Sequence, residues 1–188
     1  MTTYYFVRVN GKTLHNNPGI PDSYVPGEPP LHPKKKFNYL GFCFKHDIVR
    51  IGWPDTGDVS ANGANKLARG YDRNTMKPHE WEYLQEFSRI PIGSVILVPD
   101  KDNSGDIYIA TVTRAYWYHH DVPTEPYECA HRVGVEWDRG SDGKPRLYRA
   151  ENLNIANRGG FWLRAFQVLN DVPTGRAAIP HIDAARRK

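Results

Sequence analysis

The chain has 188 residues, is 39% hydrophobic and 24% charged, and carries a formal net charge of +4 at pH 7. That length fits one domain, and no apolar run approaches the ~20 residues of a membrane-spanning helix. The two cysteines, Cys43 and Cys129, are too few for a disulfide framework, so we expect a cytoplasmic protein with no membrane partner.

The first third of the chain predicts a strand, a long loop and two apolar runs. Tyr4–Val9 alternates as a strand does, whereas residues 10–36 are rich in proline and predict an irregular loop. This loop is either a solvated excursion or an arm that faces nucleic acid. Phe37–Phe44 and Ile48–Trp53 are apolar, and they form either one long strand or two elements with a bend at Asp47.

Two helices are predicted next. Asn62–Arg69 suits a short helix that Gly70 ends. His79–Arg89 has the stronger pattern, since three large apolar side chains share one helical stripe. They are Trp81, Leu84 and Phe87.

The centre of the chain predicts three consecutive strands, because β-branched apolar runs alternate there with turn residues. These strands are Ser94–Val98, Ile107–Tyr118 and His131–Trp137. At the end of the second strand, Tyr116 and Tyr118 share a face and Trp117 points the opposite way. Three such strands predict the floor of a small barrel, whose aromatic rim is a candidate site.

The last quarter of the chain is less regular. Asp138–Lys144 is typical of a hairpin turn, with Pro145–Arg149 as its partner strand. Phe161–Leu169 is ambiguous between a strand and a helix. The tail after Pro173 either forms a frayed helix or hangs free.

Four segments in this order carry a resemblance to a known family. They are Ile51-Gly52-Trp53 with Gly57-Asp58-Val59-Ser60, the run IGSVILVP at 92–99, the run IYIATVT at 107–113 with Tyr116 and Tyr118, and HRVGVEW at 131–137. The pattern resembles the EVE and YTH-type branch of the PUA-like superfamily. Within that branch it is most similar to the modified-DNA-reading modules of McrBC-type restriction proteins.

The resemblance implies an α+β fold, a partly open PUA-like β-barrel of EVE type flanked by short helices. Residues 1–172 would form this single domain, and residues 173–188 a C-terminal tail. The chain departs from the family pattern at Arg114-Ala115, where a turn with glycine is usual, and in the long insertion His119–Ala130.

The resemblance also implies a pocket at the barrel mouth that takes a flipped-out, usually methylated base between aromatic rings. Carried over by position, the pocket residues are Trp53, Asp58, Val59, Ser60, Tyr116, Trp117 and Tyr118. Stacking on one aromatic side chain contributes about 1–3 kcal/mol per base. Extracting the base costs a few kcal/mol, so contacts to the nucleic-acid backbone must offset that cost.

Basic side chains are the candidates for those backbone contacts. They are Lys34, Lys35, Lys36, Arg69, Arg73, Arg114, Arg132 and Arg158. Each of them also has an ordinary interpretation as a solvated surface charge, just as each tryptophan has one as a core residue.

Other chemistries match the sequence less well. His119, His120, Cys129 and His131 are close in the chain but lack the paired spacing of a zinc site. Asp100, or Glu136 with Asp138, could belong to a metal-dependent nuclease, but the acidic-x-Lys triplet expected on the next strand is missing, since that strand reads Ile107-Tyr108-Ile109. No glycine-rich phosphate loop is present. We therefore expect no metal, no cofactor and no catalysis.

The sequence thus predicts a non-catalytic module that binds nucleic acid and recognises a modified base in a restriction or anti-phage setting. Modified DNA is favoured over RNA as the partner, because the matching pattern belongs to DNA-reading proteins. A nuclease or effector protein is a second expected partner. The alternative from another class is a protein-interaction adaptor or inhibitor that uses the same aromatic surface. A small nuclease or hydrolase ranks behind both.

Overall fold

The computed structural model describes residues 2–9, 39–51, 58–60, 78–100, 106–118, 131–155 and 166–188. The strands in these ranges are β1 (Tyr4–Val7), β2 (Ile48–Ile51), β3 (Val95–Asp100), β4 (Asp106–Tyr118), β5 (His131–Trp137), β6 (Leu147–Arg149) and β7 (Phe166–Val168). The helices are α1 (Tyr39–His46), α2 (Pro78–Ser88) and α3 (Pro173–Arg186), with 3₁₀ turns at Ala150–Leu153 and Leu169–Asp171. No helix in the described ranges is long and apolar enough to cross a membrane.

In the described part of the chain, seven strands form one mixed, open sheet. The strand order is β2-β5-β4-β3-β1-β7, and β6 pairs with the first half of β4. β1 runs parallel to β3, and the other neighbours are antiparallel. The three central strands predicted from the sequence are confirmed as β3, β4 and β5, which lie side by side. The α+β class is confirmed too, and an open sheet of this kind is compatible with a partly open barrel.

Each face of the sheet carries its own core, as the alternation of β4 predicts. We call the face with Val133, Val135 and Trp137 the inner face, and it packs against Leu84 and Phe87 of α2. The opposite, outer face packs against α3 and the 3₁₀ turns. Its core residues from the sheet and from α3 are Tyr4, Phe6, Val95, Leu97, Ile107, Ile109, Tyr148, Ala178 and Ile182.

The apolar run before β2 is a helix, so the interpretation as one long strand is wrong. Aromatic residues favour strands in general, but Tyr39 and Cys43, one helical turn apart, are both buried in the inner core. Packing at helical spacing therefore decides the structure of this segment. The predicted bend at Asp47 is confirmed, because its backbone is left-handed with φ 48°, a conformation that Asp tolerates better than most residues.

The other predicted elements have mixed outcomes. The helix predicted over His79–Arg89 is confirmed as α2, which begins at Pro78. The ambiguous stretch at 161–169 contains a strand, β7. The partner strand after the Asp138–Lys144 turn is observed as β6, which pairs with β4 rather than with β5. The helix predicted at Asn62–Arg69 lies outside the described residues.

The segment after Val172 forms the 14-residue helix α3, so it belongs to the packed structure rather than to a free tail. Ala178 and Ile182 bury one side of this helix in the outer core. Gly175 allows the close approach at its start, because a Cβ there would lie 2.2 Å from the carbonyl oxygen of Leu169.

A set of polar contacts, which we call the α3 clamp, fastens the end of this helix to the sheet. Arg186 donates to both carboxylate oxygens of Asp138, from Nε over 2.9 Å and from Nη2 over 2.8 Å. Its Nη2 also donates to the hydroxyl of Thr111 over 2.7 Å. The Tyr148 hydroxyl donates to the same Asp138 carboxylate over 3.0 Å. The clamp therefore ties α3 to β4, to β6 and to the end of β5.

Replacing Arg186 by methionine should lower the free energy of unfolding by about 1–3 kcal/mol, because it leaves a partly buried carboxylate with one partner fewer. Denaturant unfolding measures this loss. The matched control is Arg139→Met, which breaks an ion pair of 2.8 Å between Arg139 and Asp47 that is more exposed to solvent. That control should cost at most about 1 kcal/mol. Equal losses in the two variants would contradict the stabilising role of the clamp.

Stability should also fall as the pH rises from about 10 to about 12. Burial, and then the carboxylates of Asp183 and Asp138, raise the pKa values of Tyr4 and Tyr148 from 10.0 to about 12. The unfolded chain loses these protons first, so above pH 10 it binds fewer protons than the folded chain and gains stability relative to it. Urea unfolding at several pH values should therefore give a shallower decline for Tyr148→Phe than for the wild type. Parallel declines would contradict the assignment.

Candidate functional site at the end of strand β4

β4 continues well beyond its neighbour β3. Its pairing with β3 ends at Thr111, and among the described strands residues 113–118 pair with β5 alone. The register between β4 and β5 shifts twice in this half, on either side of Arg114. Irregularities of this kind bend a strand and redirect its side chains. The end of β4 therefore projects from the body of the sheet and carries the predicted site residues.

The predicted loop lies against this end of β4. Val59 is 5% exposed, and its backbone N–H donates to the hydroxyl of Tyr116 over 3.4 Å. The Asp58 carboxylate accepts the N–H of Ser60 over 2.9 Å and so closes a tight side-chain turn. The structure thus brings together two of the segments that the resemblance assigns to one pocket.

The Tyr116 hydroxyl has a second partner, the imidazole of His131. Oη lies 2.8 Å from Nδ1, and His131 is 0% exposed. The centroid of the His131 ring lies 6.0 Å from that of Tyr116, with the planes 24° apart, and 5.0 Å from that of Tyr118. These three residues form a compact aromatic group, which we call the Tyr–His group.

The Tyr–His group closes one end of the inner core. His131 pairs across the sheet with Ile51 on one side and with Tyr118 on the other. Phe87 of α2 meets the Tyr116 ring edge-on, with the centroids 6.3 Å apart. Tyr116 and Tyr118 are only partly buried, so each of them joins the core to the surface.

Trp117 points to the opposite side of β4 from Tyr118, and it too packs against the core of the inner face. It pairs across the sheet with Arg132, and the guanidinium carbon of Arg114 lies 4.0 Å from the centroid of its ring. A cation held over an indole face at this distance is attracted by the ring. Arg114 is exposed and Trp117 is half-buried. Trp117 therefore provides a platform for a surface arginine and does not share a face with the two tyrosines.

Gly134 makes room for this arrangement. It lies opposite Arg114, and a Cβ at position 134 would lie 2.7 Å from the Cβ of Arg114. The Arg114 side chain can lie beside Gly134 because no side chain stands at that position. Gly134 is not among the predicted site residues, although a glycine inside a strand often marks a close approach of another chain segment.

Arg132 has a different environment from Arg114. Arg132 is 5% exposed, and its guanidinium carbon lies 5.8 Å from the centroid of the Phe42 ring. Its cross-strand neighbour Arg50 is also buried and lies over the ring of Tyr39, 4.1 Å from the centroid. Arg114 is thus exposed to solvent, whereas Arg132 is buried within the fold.

The remaining predicted site residues lie outside the described residues. They are Trp53, Lys34, Lys35, Lys36, Arg69, Arg73 and Arg158. The same holds for His119, His120 and Cys129 of the alternative zinc site. Among the described residues, no group of three or more His, Cys, Asp or Glu side chains is arranged to hold a metal ion.

Tyr116 is held in its neutral form. Burial raises the pKa of its hydroxyl well above the ordinary value of 10.0. The hydrogen bond from the Val59 N–H lowers this pKa in part, and the Asp58 carboxylate raises it. A neutral phenol donates one hydrogen bond and accepts others. The Tyr116 side chain is therefore suited to orient neighbouring groups through its hydroxyl and to stack on a planar ligand through its ring. It is not suited to act as a phenolate nucleophile or base.

Residues 33–154 match the family model described as a domain of unknown function, DUF8426. This match spans more than half of the chain and includes the Asp58–Ser60 loop, the whole of β4 and His131. No curated protein matches the chain.

Replacing Gly134 by alanine should displace Arg114 from Trp117 and destabilise the fold by about 1–3 kcal/mol, as overpacking does. Thermal unfolding and tryptophan fluorescence measure the two effects. Gly140→Ala is the control, since its added Cβ would meet the side chain of Asp142 at 3.1 Å, where little has to move.

A second substitution separates this contact from a general effect of alanine. Arg114→Gly removes the Cβ that clashes, so it should cost less stability in the Gly134→Ala background than in the wild type. Additive losses would contradict the close approach of these two positions.

Proposed function

The chain belongs to the DUF8426 family, and we propose that it is a non-catalytic nucleic-acid-binding module that recognises a modified base at the end of β4. The observation that supports this function is the contact of the Asp58–Ser60 loop with Tyr116. It places hydrogen-bonding groups beside two partly exposed phenol rings. Recognition of an extruded base uses both kinds of group, one for its edge and one for its face.

The phenol rings supply the stacking part of this recognition. His131 packs against both tyrosines, and both phenol rings are partly exposed to solvent, so a planar ligand can reach them from the surface. Each stacked base gains about 1–3 kcal/mol from such a contact. A methyl group on the base adds about 0.8 kcal/mol when it is buried.

The loop supplies the part that distinguishes one base from another. The Asp58 carboxylate accepts the N–H of Ser60 and interacts with the Tyr116 hydroxyl, and its remaining lone pairs can accept from an exocyclic amino group on a base edge. The hydroxyl of Ser60 can donate or accept. These groups favour a base that carries an amino group, and both cytosine and adenine carry one.

Arg114 supplies a contact for the nucleic-acid backbone. Its guanidinium rests on Trp117, so it is held in one orientation and loses little freedom when it binds a phosphate. Contacts of this kind help to offset the few kcal/mol needed to extract a base. The net charge of +4 has the sign that a polyanionic partner requires.

The proposal also covers the type of barrel and the cellular setting of the protein. We assign the sheet to a PUA-like barrel of EVE type, which the strand order along β3, β4 and β5 supports. We place the protein in the cytoplasm, with modified DNA as its partner in a restriction or anti-phage system. A nuclease or effector protein would then act on what this module recognises.

Fluorescence anisotropy with matched methylated and unmethylated oligonucleotides tests this function. The wild type should prefer one of the two, and Tyr118→Ala should lower that preference by roughly tenfold, because a stacking ring is lost. Arg114→Gln should weaken binding to both oligonucleotides equally and reduce the dependence of affinity on salt. Arg146→Gln is the matched control, since Arg146 also lies over an aromatic ring, that of Tyr148, at 4.8 Å but beside β6. It should leave both affinities unchanged.

Two results would contradict the proposal. Equal binding of the two oligonucleotides by the wild type would leave a nucleic-acid-binding protein that does not distinguish the base. Binding of neither oligonucleotide, together with capture of a protein partner that Tyr118→Ala abolishes, would support the adaptor instead.

A further inference from the structure

His131 is a polar residue in a row of apolar ones. On the inner face of β5 it precedes Val133, Val135 and Trp137, and all four residues are buried. Burying an imidazole there costs free energy unless its nitrogens form hydrogen bonds. A side chain of leucine size would fill the same space without that cost. The presence of an imidazole therefore indicates that its hydrogen bond matters to the site.

That hydrogen bond connects β5 to the loop through Tyr116. When the imidazole carries its proton on Nε2, Nδ1 accepts the proton of the Tyr116 hydroxyl over the observed 2.8 Å. The hydroxyl oxygen then accepts the N–H of Val59. In this tautomer Val59 N–H, Tyr116 O–H and His131 Nδ1 form one chain of hydrogen bonds, and the Asp58 carboxylate of the same loop also interacts with the Tyr116 hydroxyl.

The bond to Val59 is sensitive to the position of the phenol. At 3.4 Å it lies near the outer limit of a hydrogen bond between nitrogen and oxygen. A small rotation of the Tyr116 ring away from the loop would break it. The shorter bond to His131 opposes that rotation, and His131 itself lies on β5, which is paired on both sides by β2 and β4.

We propose that His131 is the positioning residue of this site: it fixes the Tyr116 hydroxyl and so holds the Asp58–Ser60 loop beside the tyrosine rings. The proposal rests on the function proposed above and assigns a separate task to each part. The rings provide affinity for any base, and the held loop provides discrimination between bases. Loss of the imidazole should therefore reduce selectivity while it leaves stacking affinity intact.

Three variants test this role. His131→Leu removes the nitrogen at similar volume, Tyr116→Phe removes the hydroxyl and keeps the ring, and His131→Asn restores a polar atom at the position of Nδ1. Hydrogen exchange of the Val59 amide, measured in the free protein, reports whether the loop is held. The ratio of affinities for methylated and unmethylated oligonucleotides reports discrimination.

His131→Leu and Tyr116→Phe should each speed exchange at Val59 and lower the affinity ratio by about 3- to 10-fold, the range expected for one hydrogen bond. Affinity for the unmethylated oligonucleotide should change less than about twofold. His131→Asn should recover both properties. The amides of β3 serve as the internal control, because they lie in the centre of the sheet and exchange only when the core opens.

The outcomes separate the two proposals. Unchanged exchange at Val59 in both His131→Leu and Tyr116→Phe would overturn the positioning role. Faster exchange at Val59 and in β3 alike would overturn it too, because it would show a general loss of stability. Faster exchange at Val59 alone, in a protein that does not distinguish the oligonucleotides, would support the positioning of the loop and refute the recognition of a modified base. If His131→Leu fails to fold, Tyr116→Phe gives the same readout.

Discussion

The length of β4 is the constraint on which the rest of the structure depends. At 13 residues it is about twice as long as β3, with 6, and β5, with 7. Its first half is paired on both sides and alternates between the two cores, with Ile107 and Ile109 on one face and Ala110 and Val112 on the other. Its second half is anchored by β5 and projects beyond β3. One strand thus contributes both to the stability of the fold and to its candidate site.

Because side chains alternate along a strand, Tyr118 and Trp117 lie on opposite faces at this projecting end. Tyr118 pairs with His131 on the inner face, and Trp117 pairs with Arg132 on the other. The inner side therefore gains a hydrogen-bonded aromatic group that continues the core. The other side gains an arginine stacked on an indole. A ligand that contacts both the tyrosine rings and Arg114 would have to extend around the edge of β4, as an extruded base and its phosphate would.

The fold could be predicted where the local pattern and the final packing agree. The sequence predicts β3, β4 and β5 from their β-branched runs, and α2 from its apolar stripe. It does not predict α1 and α3, because α1 is rich in aromatic residues and α3 contains Pro180. Both are helical because their buried residues recur at helical spacing against the sheet, and that sheet does not exist until distant segments meet.

The candidate site was predictable to a similar degree. The resemblance placed Val59 and Tyr116 in one site, and the structure brings them into contact. The contact between His131 and Tyr116 was not predicted. This contact depends on the register of β4 against β5, and two register shifts determine that register. Sequence periodicity alone does not contain those shifts.

The position of β1 has a consequence for how the chain acquires its structure. β1 lies in the sheet between β3 and β7, with Tyr4 opposite Val95 and Tyr5 opposite Val168. Its partners are therefore synthesised long after it, and the second of them near the end of the chain. Such distant pairings form slowly, because a large loop must close before they contribute any stability. During translation the backbone N–H and C=O groups of β1 would stay unpaired until these partners are made. This favours either protection by a chaperone or a late, concerted closure of the sheet.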